Sequence, residues 1–218
     1  LRAVKELTVF VNDASSPVMS DAVRAIYDEA APQTFVEHPK ALAAVAAALD
    51  TQHSAPINVR AIAANRRLGT IASAKGISGF LANPNLGSAL RIQALYALES
   101  WPQASPLDPI DGRYFPVPTG DLDALNAAIG PEIWSLANDT DDKVSRQAIA
   151  VLQGINPNKA QRDQVAGFVL DEGQRSAVRK AWLRWLRKQD LALFTSVGVK
   201  ALYSKSPELR VVAAQELM

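Results

Sequence analysis

The chain has 218 residues, 48% of them hydrophobic and 21% charged. That is ordinary for a globular protein and long enough to bury a sizeable core. Lys plus Arg number 23 against 22 Asp plus Glu, a net charge of +1, and this balance tells against a dedicated nucleic-acid or polybasic membrane protein. Cysteine is absent and only His38 and His53 represent histidine. Disulfides, thiolate metal sites, c-type haem attachment, a cysteine nucleophile and a histidine-rich metal centre are thereby excluded within these residues.

The chain opens on an amphipathic run, LRAVKELTVF, and closes on another, PELRVVAAQELM. No leader-like segment and no apolar stretch of the roughly 18 residues needed to span a bilayer stands out. A chain that starts and stops inside helical pattern is expected to be a piece of a longer polypeptide.

One helical unit recurs along it. An aliphatic-Arg pair opens VRAIYDEA at Val23-Arg24, VRAIAANRRL at Val59-Arg60, LRIQALYAL at Leu90-Arg91, VRKAWLRWL at Val178-Arg179 and LRVVAAQEL at Leu209-Arg210. A degenerate copy, VSRQAIAVL, opens at Val144 with Ser145 in the arginine slot. The aliphatic positions 23, 59, 90, 144, 178 and 209 are separated by 36, 31, 54, 34 and 31 residues, so four of the five steps fall near one length and the long one holds an insertion. Within each copy, aliphatic and alanine positions follow at i+3, i+4 and i+7, as in Leu90, Ala94, Ala97 and Leu98, the spacing of a helix with one buried stripe. Ser54, Asn85, Asp139 and Ser204 or Ser206 sit where helix N-caps belong. Pro207 suits a first turn, and Gly69 and Gly154 suit helix ends. Further helices are expected over 1–11, 38–50, 68–82, 121–137, 158–171 and 190–203, with Gly130-Pro131 kinking or splitting the one it interrupts.

These elements predict an all-α solenoid of about six helix pairs, with repeats at 1–35, 36–67, 68–100, 119–154, 155–188 and 189–218 and a Pro-rich insertion at 101–120. Helix is expected to exceed half of the chain, against a base rate near one third. The expected core includes Val23, Ile26, Ile62, Leu90, Leu95, Leu98, Ile149, Leu152, Val178, Trp182, Leu209 and Val212. The repeat unit resembles HEAT repeats, which carry an aliphatic-Arg pair early in the second helix and a polar cap before it, and the expected fold is a HEAT-like or armadillo-type superhelix. That resemblance implies a structural ladder of Arg24, Arg60, Arg91, Arg179 and Arg210 bonded to polar groups in the inter-helix turns.

The insertion, WPQASPLDPIDGRYFPVPTG, contains five prolines, at 102, 106, 109, 116 and 118, and three aromatics, Trp101, Tyr114 and Phe115. The prolines deny it a helix, and the aromatics deny it the composition of a flexible linker. Asp111-Gly112 marks a turn. An ordered extended loop is expected, with Trp101 and Tyr114 buried against the third and fourth helix pairs and Arg113 bonded to a carboxylate or to helix-end carbonyls. Trp101, Arg113, Tyr114 and Phe115 are candidate interaction residues, since aromatic and Arg side chains anchor interfaces; a packed spacer is the plainer reading.

The run from Trp101 and Pro102 through Ser105, Pro106 and Asp108 to Gly112, Arg113 and Tyr114 resembles a segment in the HEAT-repeat region of large bacterial envelope proteins. Those proteins join a glucose/sorbosone-dehydrogenase-like propeller, a HEAT-like middle and a cytochrome c domain with a CxxCH haem site, and are described as membrane-bound dehydrogenases or haem-binding proteins. The resemblance implies a non-catalytic scaffold that holds such domains or binds a protein partner, in the cell envelope or periplasm. Haem c would lie elsewhere in the parent chain, because no cysteine is present here.

Other chemistry is weaker. In 175–188, Lys180, Arg184 and Arg187 share one helix face, a candidate anion contact and the basis of an alternative reading as a nucleic-acid-binding module. The acidic clusters at 121–123 and 140–143 sit at predicted helix starts, where carboxylates favour the helix dipole. SAKGISG at 73–79 lacks the preceding strand and the Lys-Ser/Thr ending of a phosphate loop. No Ser-His-Asp set, metal site or cofactor site stands out, so the chain reads as non-catalytic.

Overall fold

The computed structural model describes residues 3–29, 38–101, 105–115, 121–154 and 156–218. Pro102, Pro116 and Pro118 of the predicted insertion lie outside them. Helix, 3-10 turns included, accounts for 73% of the described residues, well past the expected half. Among the described residues there are twelve α-helices and no strand, only an isolated antiparallel bridge between Leu107 and Tyr114. The chain is an α-solenoid.

The sequence reads as a single repeat domain over 1–218; the packing has two compact units, Leu1–Glu132 and Ile133–Met218. In the first, α1 (Ala3–Leu7) runs into a 3-10 turn (Thr8–Asn12), followed by α2 (Ser16–Glu29), α3 (Pro39–Ala47), α4 (Ala55–Leu68), α5 (Ile71–Leu81) and α6 (Ser88–Glu99). The second helices of successive pairs pack in a row, α2 on α4 and α4 on α6, while α3 and α5 form the other layer against α4 and α6. Val11, Val23, Ile26, Tyr27 and Val45 are fully buried where these layers meet. α7 (Leu122–Leu136) follows the insertion and contains Pro131. Of the expected kink or split at Gly130-Pro131, the split does not occur: the helix is continuous through Pro131. Proline deletes one i to i−4 hydrogen bond there.

The second unit continues with α8 (Asp142–Val151), a 3-10 turn (Leu152–Gly154), α9 (Lys159–Leu170), α10 (Ser176–Gln189), α11 (Leu191–Ala201) and α12 (Pro207–Leu217). Again α8, α10 and α12 make one row and α9 and α11 the other. Its core centres on an aromatic cluster. Trp134 stacks on Trp182 with centroids 5.4 Å apart, and Trp185 meets Trp182 edge-on at 5.5 Å. Each such pair adds about 0.5–1.5 kcal/mol beyond its burial. The Trp185 indole N–H donates to the Leu152 carbonyl at 3.0 Å, closing the end of α8.

Side-chain caps open half of the twelve α-helices among the described residues, with shifts from the sequence expectation. Ser206 caps α12 through the Leu209 N–H, and Ser54 begins α4 without a side-chain bond. Asn85 is not a cap; Gly87 holds that place for α6. Asp139 gives way to Asp141, which accepts from the Lys143 and Val144 N–H groups, while Asp139 braces the Asp141 N–H. Asp121 accepts from Asp123 and Ala124 at the start of α7, so both acidic clusters serve helix starts. Asn158 and Gln161 form a reciprocal capping box on α9. Gly69 ends α4 at φ 63°, a conformation that favours glycine.

One core expectation fails. Leu90 is only half-buried, and its neighbour Arg91 is the buried residue. The α6 stripe is rotated by about one position, so the arginine's aliphatic stem occupies apolar space.

Candidate functional site

The last turn of α4 carries two consecutive arginines, both buried. Adjacent helical positions diverge by about 100°, so the pair serves two neighbours. Arg66 turns to the end of α6. Its guanidinium lies 4.7 Å from the centroid of the Trp101 ring, and its Nη2 donates to the Ser100 carbonyl at 2.7 Å and to the Trp101 carbonyl at 3.4 Å. Arg67 turns to α2 and to the loop. It is sandwiched between the Tyr27 ring at 4.3 Å and the Phe115 ring at 4.5 Å.

Asp108 is the loop's anchor. Its side chain is 1% exposed and that of Arg67 4%. Asp108 Oδ2 accepts from Arg67 Nε at 2.7 Å and lies 2.7 Å from Arg67 Nη2; it also accepts from the Tyr27 hydroxyl at 2.7 Å. Asp108 Oδ1 accepts from the Ile110 and Asp111 N–H groups. Burial, with Asp108 beside it, pushes the Tyr27 phenol far above its ordinary range, while Arg67 opposes that shift. The phenol is therefore a permanent donor. Gly112, at φ 71°, returns the chain so that its N–H meets the Asp108 carbonyl. The loop is thus fastened to helix ends by a buried, fully bonded ion pair.

The four loop candidates divide. Trp101 is fully buried on Arg66. Phe115 packs on Arg67 and on the core. Arg113 donates to the Asp28 carbonyl at the end of α2 and lies 3.5 Å from Asp111. Tyr114 does not bury: it is 65% exposed. Along an extended segment neighbouring side chains face opposite sides, so the inward Phe115 sends Tyr114 outward.

Between α4, α6 and the loop lies a cleft of about 480 Å³, with Ile62, Arg66, Gln93, Tyr96, Ser105 and Leu107 among its walls. Tyr96 and Leu107 are each 54% exposed. Sequence reasoning missed Arg66, Arg67, Tyr27 and this cleft. The available signals were two arginines in the last turn before a helix-ending glycine and an acid set in a proline-flanked turn.

The arginine slots do not form one uniform ladder. Arg24 is exposed, with a loose contact to Asp21. Arg60 forks onto Asp28 of α2, which raises its pKa through that hydrogen bond. Arg91 is buried in α6. In the second unit the turn pattern does hold. Arg179 donates to the Val169 carbonyl at 2.8 Å and forks onto Glu172, and Arg210 donates to the Ser204 carbonyl. Ser145, in the degenerate slot, donates to the Ala137 carbonyl. Glu172 also accepts from the Ser204 hydroxyl and the Lys205 N–H, joining two successive turns. Its bonds, chiefly to Arg179, pull its pKa down to about 2. Arg184 and Arg187 of the candidate anion face both bond Glu216. Lys180, on the same face, lies near Glu208 and helps to lower that carboxyl's pKa, after the Ser206 hydroxyl and other bonds.

No protein-family model and no curated protein matches the chain. Solved structures do. A designed armadillo repeat protein superposes with a TM-score of 0.54 at 15% identity, over 98% of this chain and 98% of that one. A designed armadillo repeat protein in complex with the peptide (KR)4 gives 0.55 at 13% identity, over 99% of both chains. An engineered protein gives 0.58 at 14% identity, over 100% of this chain and 98% of that one. At such identities the likeness shows the fold alone: an armadillo-like α-solenoid.

Proposed function

We propose that this chain is a non-catalytic protein-interaction scaffold, and that it belongs to a larger multidomain polypeptide. The observation that carries the interaction role is the cleft walled by α4, α6 and the anchored loop, with Tyr96 and Leu107 exposed at its mouth. A loop held by a buried ion pair keeps that surface in one shape, and a preorganised surface loses less entropy on binding. A designed protein of like fold holds a peptide, which supports a polypeptide as the partner.

For the parent we propose the dehydrogenase-like, haem-containing envelope type. Its support is the sequence of the loop, from Trp101 to Tyr114. The alternative, a duplex contact through Lys180, Arg184 and Arg187, has less support, because Glu216 holds both arginines.

A photo-crosslinking amino acid at Leu107, in the full-length protein expressed in its host, tests the scaffold. Cross-links to a neighbouring domain or to a second protein are expected. Their absence, with the folded protein present, overturns it. Reading the gene on both sides tests the parent: a propeller-like sequence upstream and a CxxCH downstream are expected, and a frame lacking both removes it.

A further inference from the structure

Resting on the interaction role just proposed, we infer that the cleft between α4, α6 and the loop receives a single acidic side chain of an extended peptide segment in a protein partner, with Arg66 as its recognition cation. Arg66 is 6% exposed and forms part of the cleft wall. Its Nη1 is buried without a hydrogen-bond partner. Its other contacts are neutral: the Ser100 hydroxyl, the Ser100 and Trp101 carbonyls and the Trp101 ring. Among the described residues no carboxylate pairs with it. Burial accordingly drags its pKa down to about 10.

Three other arginines that reach helix-end carbonyls each have an acid as well, and Arg210, which reaches the Ser204 and Lys205 carbonyls without one, is exposed to water. Arg113 reaches the Asp28 carbonyl and has Asp111 beside it. Arg175 reaches the Asp139 and Thr140 carbonyls and has Asp142. Arg179 reaches the Val169 carbonyl and has Glu172. All three are complete with carbonyl and carboxylate. Arg66, among the most buried of the four, has the carbonyls without the acid. A buried guanidinium is favourable only when paired and fully bonded, and a carboxylate entering the cleft would supply the missing half.

The surroundings describe the rest of the ligand. Tyr96 and Leu107 flank the mouth, so apolar residues beside the acid would be covered. Arg67, the other arginine of the lining, already has Asp108, so the cleft offers one cation to one acid. The volume, about 480 Å³, is that of a site for a small ligand or a few side chains. A lone Asp or Glu with apolar neighbours fits.

A random heptapeptide library displayed on phage, selected against the folded chain, tests this. Enriched sequences should share one acid beside apolar residues. An enriched peptide, made synthetically and followed by fluorescence anisotropy, should bind at least ten-fold more weakly when its acid becomes the amide. Leu107→Asp and Tyr96→Asp, both at exposed positions that leave the fold intact, should weaken it similarly; Arg66→Gln should abolish the preference for acid over amide. Enriched peptides without an acid, or binding indifferent to Leu107 and Tyr96, would overturn the inference while leaving the scaffold role standing on its cross-links. Free acetate competing as well as the peptide would overturn the commitment to a polypeptide.

Discussion

Replacing Asp108 by Asn keeps the volume of the side chain and removes its charge. Arg67 then stays buried between Tyr27 and Phe115, with Asp111 more distant at 3.8 Å. The amide nitrogen, if turned toward Oδ2's place, would face donors from Arg67 and Tyr27; if turned the other way, it would face the Ile110 and Asp111 N–H groups. One set of donors is lost in either orientation. Both charged side chains are almost fully enclosed, so solvent screening gives little relief. Breaking one partner of such a pair costs about 3–5 kcal/mol, a large share of the roughly 5–15 kcal/mol that stabilises a domain. Urea denaturation followed by circular dichroism should show the lower midpoint, and hydrogen exchange should rise over 105–115 before the helices open. Arg67→Met combined with Asp108→Leu removes both charges together and should recover much of the loss, since apolar replacement of a whole buried pair is often neutral. An Asp108→Asn protein within about 0.5 kcal/mol of the parent, the range of an inert surface change, would refute the anchoring role.

Trp101→Ala should cost about 3–5 kcal/mol, as large-to-small changes at buried aromatic positions do, and should make the loop sensitive to protease in limited digestion. Tyr114→Ala, at an exposed position, should shift the unfolding midpoint negligibly, so a large loss there would contradict the outward placement. Glu172 has its folded pKa lowered from 4.5 to about 2, so its contribution is complete above the unfolded value and is lost as pH falls through the folded one. The stability difference between the parent and Glu172→Gln should therefore shrink between pH 5 and pH 2 in acid titrations; a difference that is flat with pH would refute it. Duplex DNA at low salt should give no shift, whereas a salt-dependent shift lost on changing Lys180, Arg184 and Arg187 to Ala would favour the nucleic-acid alternative.

Helix pairs were legible because their signal is local and periodic. The expected spans 38–50, 158–171 and 190–203 differ from α3, α9 and α11 by no more than three residues at either end. Ends were less legible, because Asp139 and Asp141 are equally good caps in sequence and only the path of the chain chooses between them. The cleft was not legible. Arg67 and Asp108 are separated by 41 positions, and no periodicity links a helix's last turn to a proline-flanked loop. Tyr114 and Phe115 are interchangeable as anchors by composition. The Leu107–Tyr114 bridge sets which of them faces inward.

The arginine slots show why a repeated residue need not mean a repeated contact. A solenoid ends a helix in nearly every turn, and each end leaves backbone carbonyls without partners and a partial negative charge. A nearby arginine can satisfy both, but which arginine arrives depends on the rotation of its helix. In the second unit the slot residues Arg179, Arg210 and, with a hydroxyl, Ser145 reach such carbonyls. In the first unit the rotation differs. The slot residue Arg60 goes instead to Asp28, and residues outside the slot, Arg66 and Arg113, take the carbonyls at the ends of α6 and α2. The insertion is what makes that substitution workable: it brings Arg113 to α2, and its Asp108 neutralises Arg67. What it does not bring is an acid for Arg66, and the cleft beside Arg66 is where one can enter.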